Sequence, residues 1–228
     1  MGILTNGVVL RSPYPWFGGK AKVAPVVWDR FGDVPNYVEP FFGSGAMLLS
    51  RPHWPWPEGE NRIETVNDLD GFVPNFWRAV QADPEAVAYH ADWPVSELDL
   101  HARHFWLTNT GRGIVERLRE DADFYDVKIA GWWVWGVCQW IGSGWCEHPE
   151  WQKLPHLGDA GMGIHRPSQK LPHLGDAGRG EIHDYLAALS VRLRGVRVCC
   201  GDWTRVCGPT PTVKQGITGV FLDPPYDQ

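Results

Sequence analysis

Asp223-Pro224-Pro225-Tyr226 closes an apolar run, Gly219-Val220-Phe221-Leu222, and sets a carboxylate, two restricting prolines and a flat aromatic ring side by side. Such a set can accept hydrogen bonds from an amino group on a planar ring while the tyrosine stacks against that ring. The prolines limit the backbone, so Asp223 and the Pro224 carbonyl are aimed before a substrate arrives. On its own the tetrapeptide is equally a turn, because two prolines end strand pairing and a tyrosine can cover a sheet edge. Three upstream segments supply parts that fit the chemical reading.

The first is Trp16-Phe17-Gly18-Gly19-Lys20. Two glycines before a lysine let the backbone approach a ligand beside a cation, and the run from Ala21 to Phe31 reads as a helix. The second is Glu39-Pro40-Phe41-Phe42-Gly43-Ser44-Gly45, a strand running into a glycine turn and then a helical Ala-Met-Leu-Leu run. It lacks the third glycine of the dinucleotide fingerprint and has no Gly-Lys-Ser/Thr cradle, which disfavours a dinucleotide or a nucleoside triphosphate. The third is Ile63 to Asp68, a strand ending in an acid about twenty residues past the glycine loop, where α/β nucleotide-binding folds place a carboxylate against ribose hydroxyls. Asp68 or Asp70 could instead cap the helix predicted over Phe72 to Val80.

These segments must be carried by strands whose carboxyl ends share one rim. The chain has 228 residues, 43% of them hydrophobic and 21% charged, which suits one large domain or one core with an inserted lobe. The longest apolar stretch, Ile129 to Gly142, contains Gln139 and is too short to span a bilayer, and the amino terminus shows no export signal, so a cytoplasmic location is expected and no membrane. Five cysteines, an odd number without a Cys-x-x-Cys pair, read as reduced thiols. A net charge of -6 argues against indiscriminate nucleic-acid binding but leaves room for a local basic cleft.

Taken together and in this order, Trp16-Phe17-Gly18-Gly19-Lys20, Glu39 to Gly45, Asn67-Asp68 and Asp223-Pro224-Pro225-Tyr226 resemble the Dam-type DNA adenine-N6 methyltransferases, over residues 13 to 82 and about 190 to 226. The resemblance implies an α/β fold, a Rossmann-like sheet that binds S-adenosylmethionine, with an inserted, mainly helical target-recognition lobe. It divides the chain into a cofactor-binding and catalytic domain, residues 1–82 and 183–228, and a lobe, residues 83–182. It further implies that Trp16 and Lys20 flank the cofactor, that Glu39, Phe41, Gly43 and Gly45 line its methionine end, and that Asp68 takes the ribose. Val196 to Trp203 looks like the family's third strand, with Asp202 at the adenine amino group and Trp203 where phenylalanine is usual; Asp202 also fits a turn after Gly201. Asp223, Pro224, Pro225 and Tyr226 would be catalytic, with double-stranded DNA as substrate, direct methyl transfer to a flipped-out adenine, and no metal. The setting implied is a bacterial or phage-infected cell, and a cognate restriction enzyme is a partner to look for. The family continues with further strands after the catalytic motif, and the expectation for the sequence ending at Gln228 is a sheet without them.

In the middle of the chain, Ser96 to Thr108 reads as a capped helix, and Asp126 to Ile141 as a second, with Ile129, Trp132, Trp133, Val137 and Trp140 at three- and four-residue steps. Such a tryptophan stripe reads as core rather than as a stacking platform for bases. From Gly142 to Gly180 the composition turns to Gly, Pro, His and basic residues, and residues 152–161 recur as residues 169–178. Lys153, Arg166, Lys170 and Arg179 would there contact phosphates or base edges, and a duplicated surface insertion is the alternative. The histidines of this stretch lack the carboxylate or cysteine partners of a metal site. Two other functions stay open: cytosine-N4 methylation, which the family resemblance makes less favoured because position 223 is Asp and not Ser, and a catalytically silent module that binds DNA or cofactor.

Overall fold

A hairpin of β1 (Ile3–Thr5) and β2 (Val8–Leu10) leads into helix α1 (Ala24–Phe31) and then to a sheet whose strands are all parallel. The structure, a computed structural model, describes residues 3–5, 7–16, 18–60, 62–140, 144–146 and 181–224. The sheet strands are β3 (Asn36–Glu39), β4 (Ile63–Asp68), β5 (Val196–Cys200) and β6 (Thr218–Val220), in the order β5-β4-β3-β6. Successive strands run outward from β3 to β5, and the chain then crosses back to lay β6 on the other side of β3. The order therefore reverses at β3, and the crevice at its carboxyl end is where open α/β sheets bind ligands.

The helices are α2 (Phe72–Ala82), α3 (Pro84–Ala91), α4 (Glu97–Asn109), α5 (Ile114–Glu120), α6 (Val127–Gln139), α7 (Glu181–Leu193) and α8 (Thr204–Cys207). Their starts are written in short polar side chains that satisfy free N–H groups of the first turn. The Ser96 hydroxyl accepts from the Asp99 N–H, Asp126 from the Ile129 N–H at 2.9 Å, and Asp83 from the Ala86 N–H, with Pro84 pre-set at the first position of α3. The helices expected from Ser96 and Asp126 are α4 and α6. Two local expectations are corrected. The Ala-Met-Leu-Leu run after the glycine turn forms only a 3-10 turn, Leu48–Ser50, because the chain leaves it at Arg51 in extended geometry. Helix α1 starts at Ala24, where Pro25 enters its first turn, and not at Ala21.

Helix α6 is fixed to α2 by a reciprocal pair: Asn75 Oδ1 accepts from the Asp126 N–H at 2.8 Å, and Asn75 Nδ2 donates to the Asp126 carbonyl at 2.9 Å. Trp133 lies in the same buried cluster as Tyr14, Phe76 and Trp77, as expected of a tryptophan stripe that packs. The core runs unbroken from the sheet through α2 to α6, so the helices after residue 83 share it. Among the described residues no helix is long and apolar enough to cross a membrane.

At the amino end of β4, a buried carboxylate, Glu64, holds two buried guanidiniums: Arg51 at 2.9 Å and Arg192 of α7 at 2.7 Å through both nitrogens. The same arginines donate to the Val34 and Leu48 carbonyls, so one acid ties the 3-10 turn, α7 and the strand together. Removing the charge leaves two buried cations uncompensated. Glu64→Gln is expected to destabilise the protein by about 3 kcal/mol, read as a lower urea midpoint at unchanged slope.

Candidate active site

Three strand-end loops meet at the carboxyl edge, and Asn67 is the clamp. Its Nδ2 donates to the Pro40 carbonyl at 3.1 Å and to the Gly201 carbonyl at 2.9 Å, which joins the loops after β3 and β5 across β4. Backbone bonds continue the closure: the Phe42 N–H donates to the Asn67 carbonyl and the Gly201 N–H to the Asp68 carbonyl.

The glycine loop is held from both sides. The Gly43 N–H donates to Asp68 Oδ2 at 2.9 Å, while its carbonyl accepts from the Tyr14 hydroxyl at 2.7 Å and from Trp77 Nε1 at 3.0 Å. Gly43 and Gly45 adopt φ of +48° and +69°, in the left-handed region that favours glycine. A Cβ at Gly43 would sit 2.4 Å from Trp16 Nε1, and one at Gly45 would sit 2.9 Å from the Trp77 ring. Their glycine identity is thus required by packing against two tryptophans as well as by backbone geometry.

A cavity of about 360 Å³ opens where the strand order reverses. Phe41, Phe42, Leu69 and Phe221 form its apolar walls, and Glu39, Asp68, Asp223 and Lys20 bring charge into it. Lys20 Nζ lies 2.6 Å from Asp223 Oδ2 and also donates to the Gly18 carbonyl, so the Gly-Gly-Lys turn is tied to the end of β6 across nearly the full length of the chain. Asp68 is clamped on both oxygens, by the Gly43 and Asp70 N–H groups; burial nevertheless raises its pKa, with those hydrogen bonds opposing. Glu39 is 3% exposed and accepts from the Tyr37 hydroxyl at 2.9 Å. Burial pushes its carboxyl up to about 8, against that hydrogen bond and with smaller upward contributions from Asp223 and Asp68.

Of the residues singled out in the sequence, Trp16, Lys20, Glu39, Phe41, Asp68, Asp223 and Pro224 line this one cavity. Gly43 and Gly45 are not on its wall; they stand behind it, with Ser44 and Ala46 facing in. Asp202 and Trp203 lie off the wall as well. Asp202 is exposed, and its carboxylate turns to the Thr204 N–H and hydroxyl, contacts that hold its pKa below the ordinary range. Trp203 is 42% exposed, its ring centroid 6.2 Å from that of Phe41. Asp70, and not Asp68, accepts from the Phe72 N–H at the start of α2. Pro225, Tyr226, Lys153, Arg166, Lys170, Arg179 and the repeat lie outside the described residues.

Asn67 stood in the Asn67-Asp68 motif without its clamping role, and the braces Tyr14 and Trp77 went unread, since a buried tyrosine or tryptophan looks like packing until the carbonyl it serves is known. Phe221, just past the end of β6, was not singled out either and reaches the cavity wall from the same segment as Asp223.

Three acids and one ammonium suit the cavity to a ligand that carries positive charge on a partly apolar frame, Glu39 keeping its proton near neutral pH until such a charge arrives. S-Adenosylmethionine, with a sulfonium and an α-ammonium, has that character. Glu39 and Asp68 are the inner acids of the wall, and Phe41 with Phe42, Leu69 and Phe221 gives it an apolar side.

No curated protein matches the chain. Residues 16–110 match the family model described as D12 class N6 adenine-specific DNA methyltransferase, in keeping with the Dam-type resemblance of the motifs in that stretch.

Proposed function

We propose that this protein methylates the exocyclic N6 of adenine in double-stranded DNA, taking the methyl group from S-adenosylmethionine. The observation that carries the reading is the convergence of Lys20, Glu39, Asp68 and Asp223, drawn from four separate segments, on one cavity at the topological switch point. Bound there, S-adenosylmethionine supplies an electrophilic methyl group on a positively charged sulfur.

The residues of the chain do the rest. Adenine's amino lone pair is delocalised into the ring and stacked inside the duplex, so the base must be flipped out and the lone pair localised. Asp223, at the mouth of the cavity, accepts one amine hydrogen bond, and the Pro224 carbonyl accepts the second. Lys20, at 2.6 Å, orients the Asp223 carboxylate, which suits a positioned hydrogen-bond acceptor. The amine proton leaves after transfer. Tyr226 is assigned the stacking face. The helical stretch from residue 83 and the basic residues Lys153, Arg166, Lys170 and Arg179 are assigned to target recognition, in the lobe of residues 83–182. A location in the cytoplasm of a bacterial or phage-infected cell, with or without a cognate restriction enzyme, follows from the same reading.

The test is transfer of tritium from labelled S-adenosylmethionine to unmodified duplex DNA by the full-length protein, followed by nucleoside analysis of the digest. N6-methyladenine is expected. N4-methylcytosine would move the reaction to cytosine, and unlabelled DNA with intact cofactor binding would make the protein a silent binding module.

A further inference from the structure

A second hollow, of about 310 Å³, lies beside the cofactor cavity and has a different character. Asn67 is on its wall, whereas the next residue, Asp68, is on the wall of the cofactor cavity, so the two share the carboxyl end of β4. Three guanidiniums face it, Arg78 of α2, Arg119 of α5 and Arg205 of α8, against one carboxylate, Glu120. A local excess of two positive charges stands out in a chain whose net charge is -6.

Arg78 is built into the wall. Its Nε donates to the Val198 carbonyl at 3.0 Å, and its Nη1 donates to the Leu118 and Asp121 carbonyls, so β5 and α5 hold it with no acid involved. Arg119 and Arg205 are exposed, and among the described residues neither side chain makes an ion pair or a hydrogen bond. Arg205 lies over the turn after β5, where a Cβ on Gly201 would meet its Nη1 at 3.2 Å. Like charges gathered round one hollow repel one another, and an anion with several oxygens offsets that repulsion. Planar guanidinium forks match phosphate oxygens in pairs, and three forks exceed what one carboxylate can accept.

We propose that Arg78, Arg119 and Arg205 form a phosphate-binding site next to the methyl-transfer cavity. A duplex laid along the carboxyl edge would present its backbone phosphates there, and a free phosphate carries the same chemistry. That DNA is the source rests on the methyltransferase reading; the phosphate site does not.

The experiment compares the full-length protein with the double variant Arg119→Gln, Arg205→Gln. Both side chains are exposed and support no other contact, so the variant is expected to fold normally. Duplex binding is followed over a salt series, and inorganic phosphate is titrated calorimetrically at constant ionic strength. If DNA supplies the phosphate, the slope of log affinity against log salt falls by about one to two in the variant, since each lost phosphate contact contributes about 0.9. If free phosphate is the ligand, saturable phosphate binding disappears in the variant while the DNA slope stays unchanged. The proposal is overturned if neither measurement distinguishes variant from wild type. A wild type that neither methylates nor binds duplex removes the methyltransferase reading, and the phosphate titration then decides the site alone.

Discussion

Asp223→Ala is expected to lower the rate of methyl transfer by about three orders of magnitude, while affinity for S-adenosylmethionine falls by no more than roughly tenfold. The asymmetry follows from where the carboxylate stands. Asp223 lies at the mouth of the cavity with Lys20 at 2.6 Å, and the acids deeper in the wall, Glu39 and Asp68, remain to face the positive cofactor. In the proposed reaction, losing Asp223 removes the acceptor that localises the adenine lone pair, which acts on the transition state. It also leaves the Lys20 ammonium unpaired, which accounts for the modest weakening of a cationic ligand. Asp223→Asn keeps a carbonyl acceptor without the charge and is expected to retain more of the rate than alanine does. Single-turnover rates and equilibrium dialysis, measured on the same preparations, separate the two effects. Equal losses of rate and cofactor affinity in the alanine variant would reduce Asp223 to a structural plug that pairs with Lys20.

What the sequence disclosed about this site was its chemistry-bearing rim, and what it hid was the frame. Strands β3, β4 and β5 could be read because each ends in an acid beside a turn signal, and Asp223 could be read because prolines stop the strand before it. The central strands carry buried Asn36, Glu39, Glu64, Thr65 and Asn67 instead of a continuous apolar run, so periodicity alone understates how deeply they lie. Glu64 and Asn67 are tolerated because partners from other segments reach them: Arg192 to Glu64, the Pro40 and Gly201 carbonyls to Asn67. Separations of 128 residues for Arg192–Glu64 and 134 for Asn67–Gly201 leave no local trace of such pairs. The placement of Gly43 and Gly45 behind the wall has the same origin, since the tryptophans that demand glycine there come from residues 16 and 77. The expected helix after Gly45 failed for a local reason: Arg51 is drawn out of helical geometry to reach Glu64 and the Val34 carbonyl.

The largest pH effect should come from Glu39. Burial, with a smaller contribution from Asp223 and Asp68, raises its carboxyl from the ordinary 4.5 to about 8, so the folded protein without cofactor keeps a proton that the unfolded chain has already lost. For a group raised on folding, the associated stability is fully present below pH 4.5 and is lost as pH rises to about 8. A shift of this size corresponds to something on the order of 5 kcal/mol across that window. Glu39→Gln keeps the Tyr37 hydroxyl as a donor to its amide oxygen and removes the titration. Urea midpoints of the cofactor-free proteins are therefore expected to fall between pH 5 and 8.5 much more steeply for wild type than for the variant. Cofactor binding runs the other way. A cationic ligand favours ionised Glu39, so binding expels a proton, and wild-type affinity should rise by up to tenfold per pH unit, about 50-fold from pH 6 to 8, before levelling off. The ligand's own α-amino group titrates near 7.7 to 8.0, and Glu39→Gln isolates that contribution because the carboxylate is gone. Calorimetry in two buffers of different ionisation enthalpy counts the released protons directly. A wild-type affinity that stays flat from pH 6 to 7.5, or that follows the variant's profile, would mean that Glu39 does not face the ligand's charge.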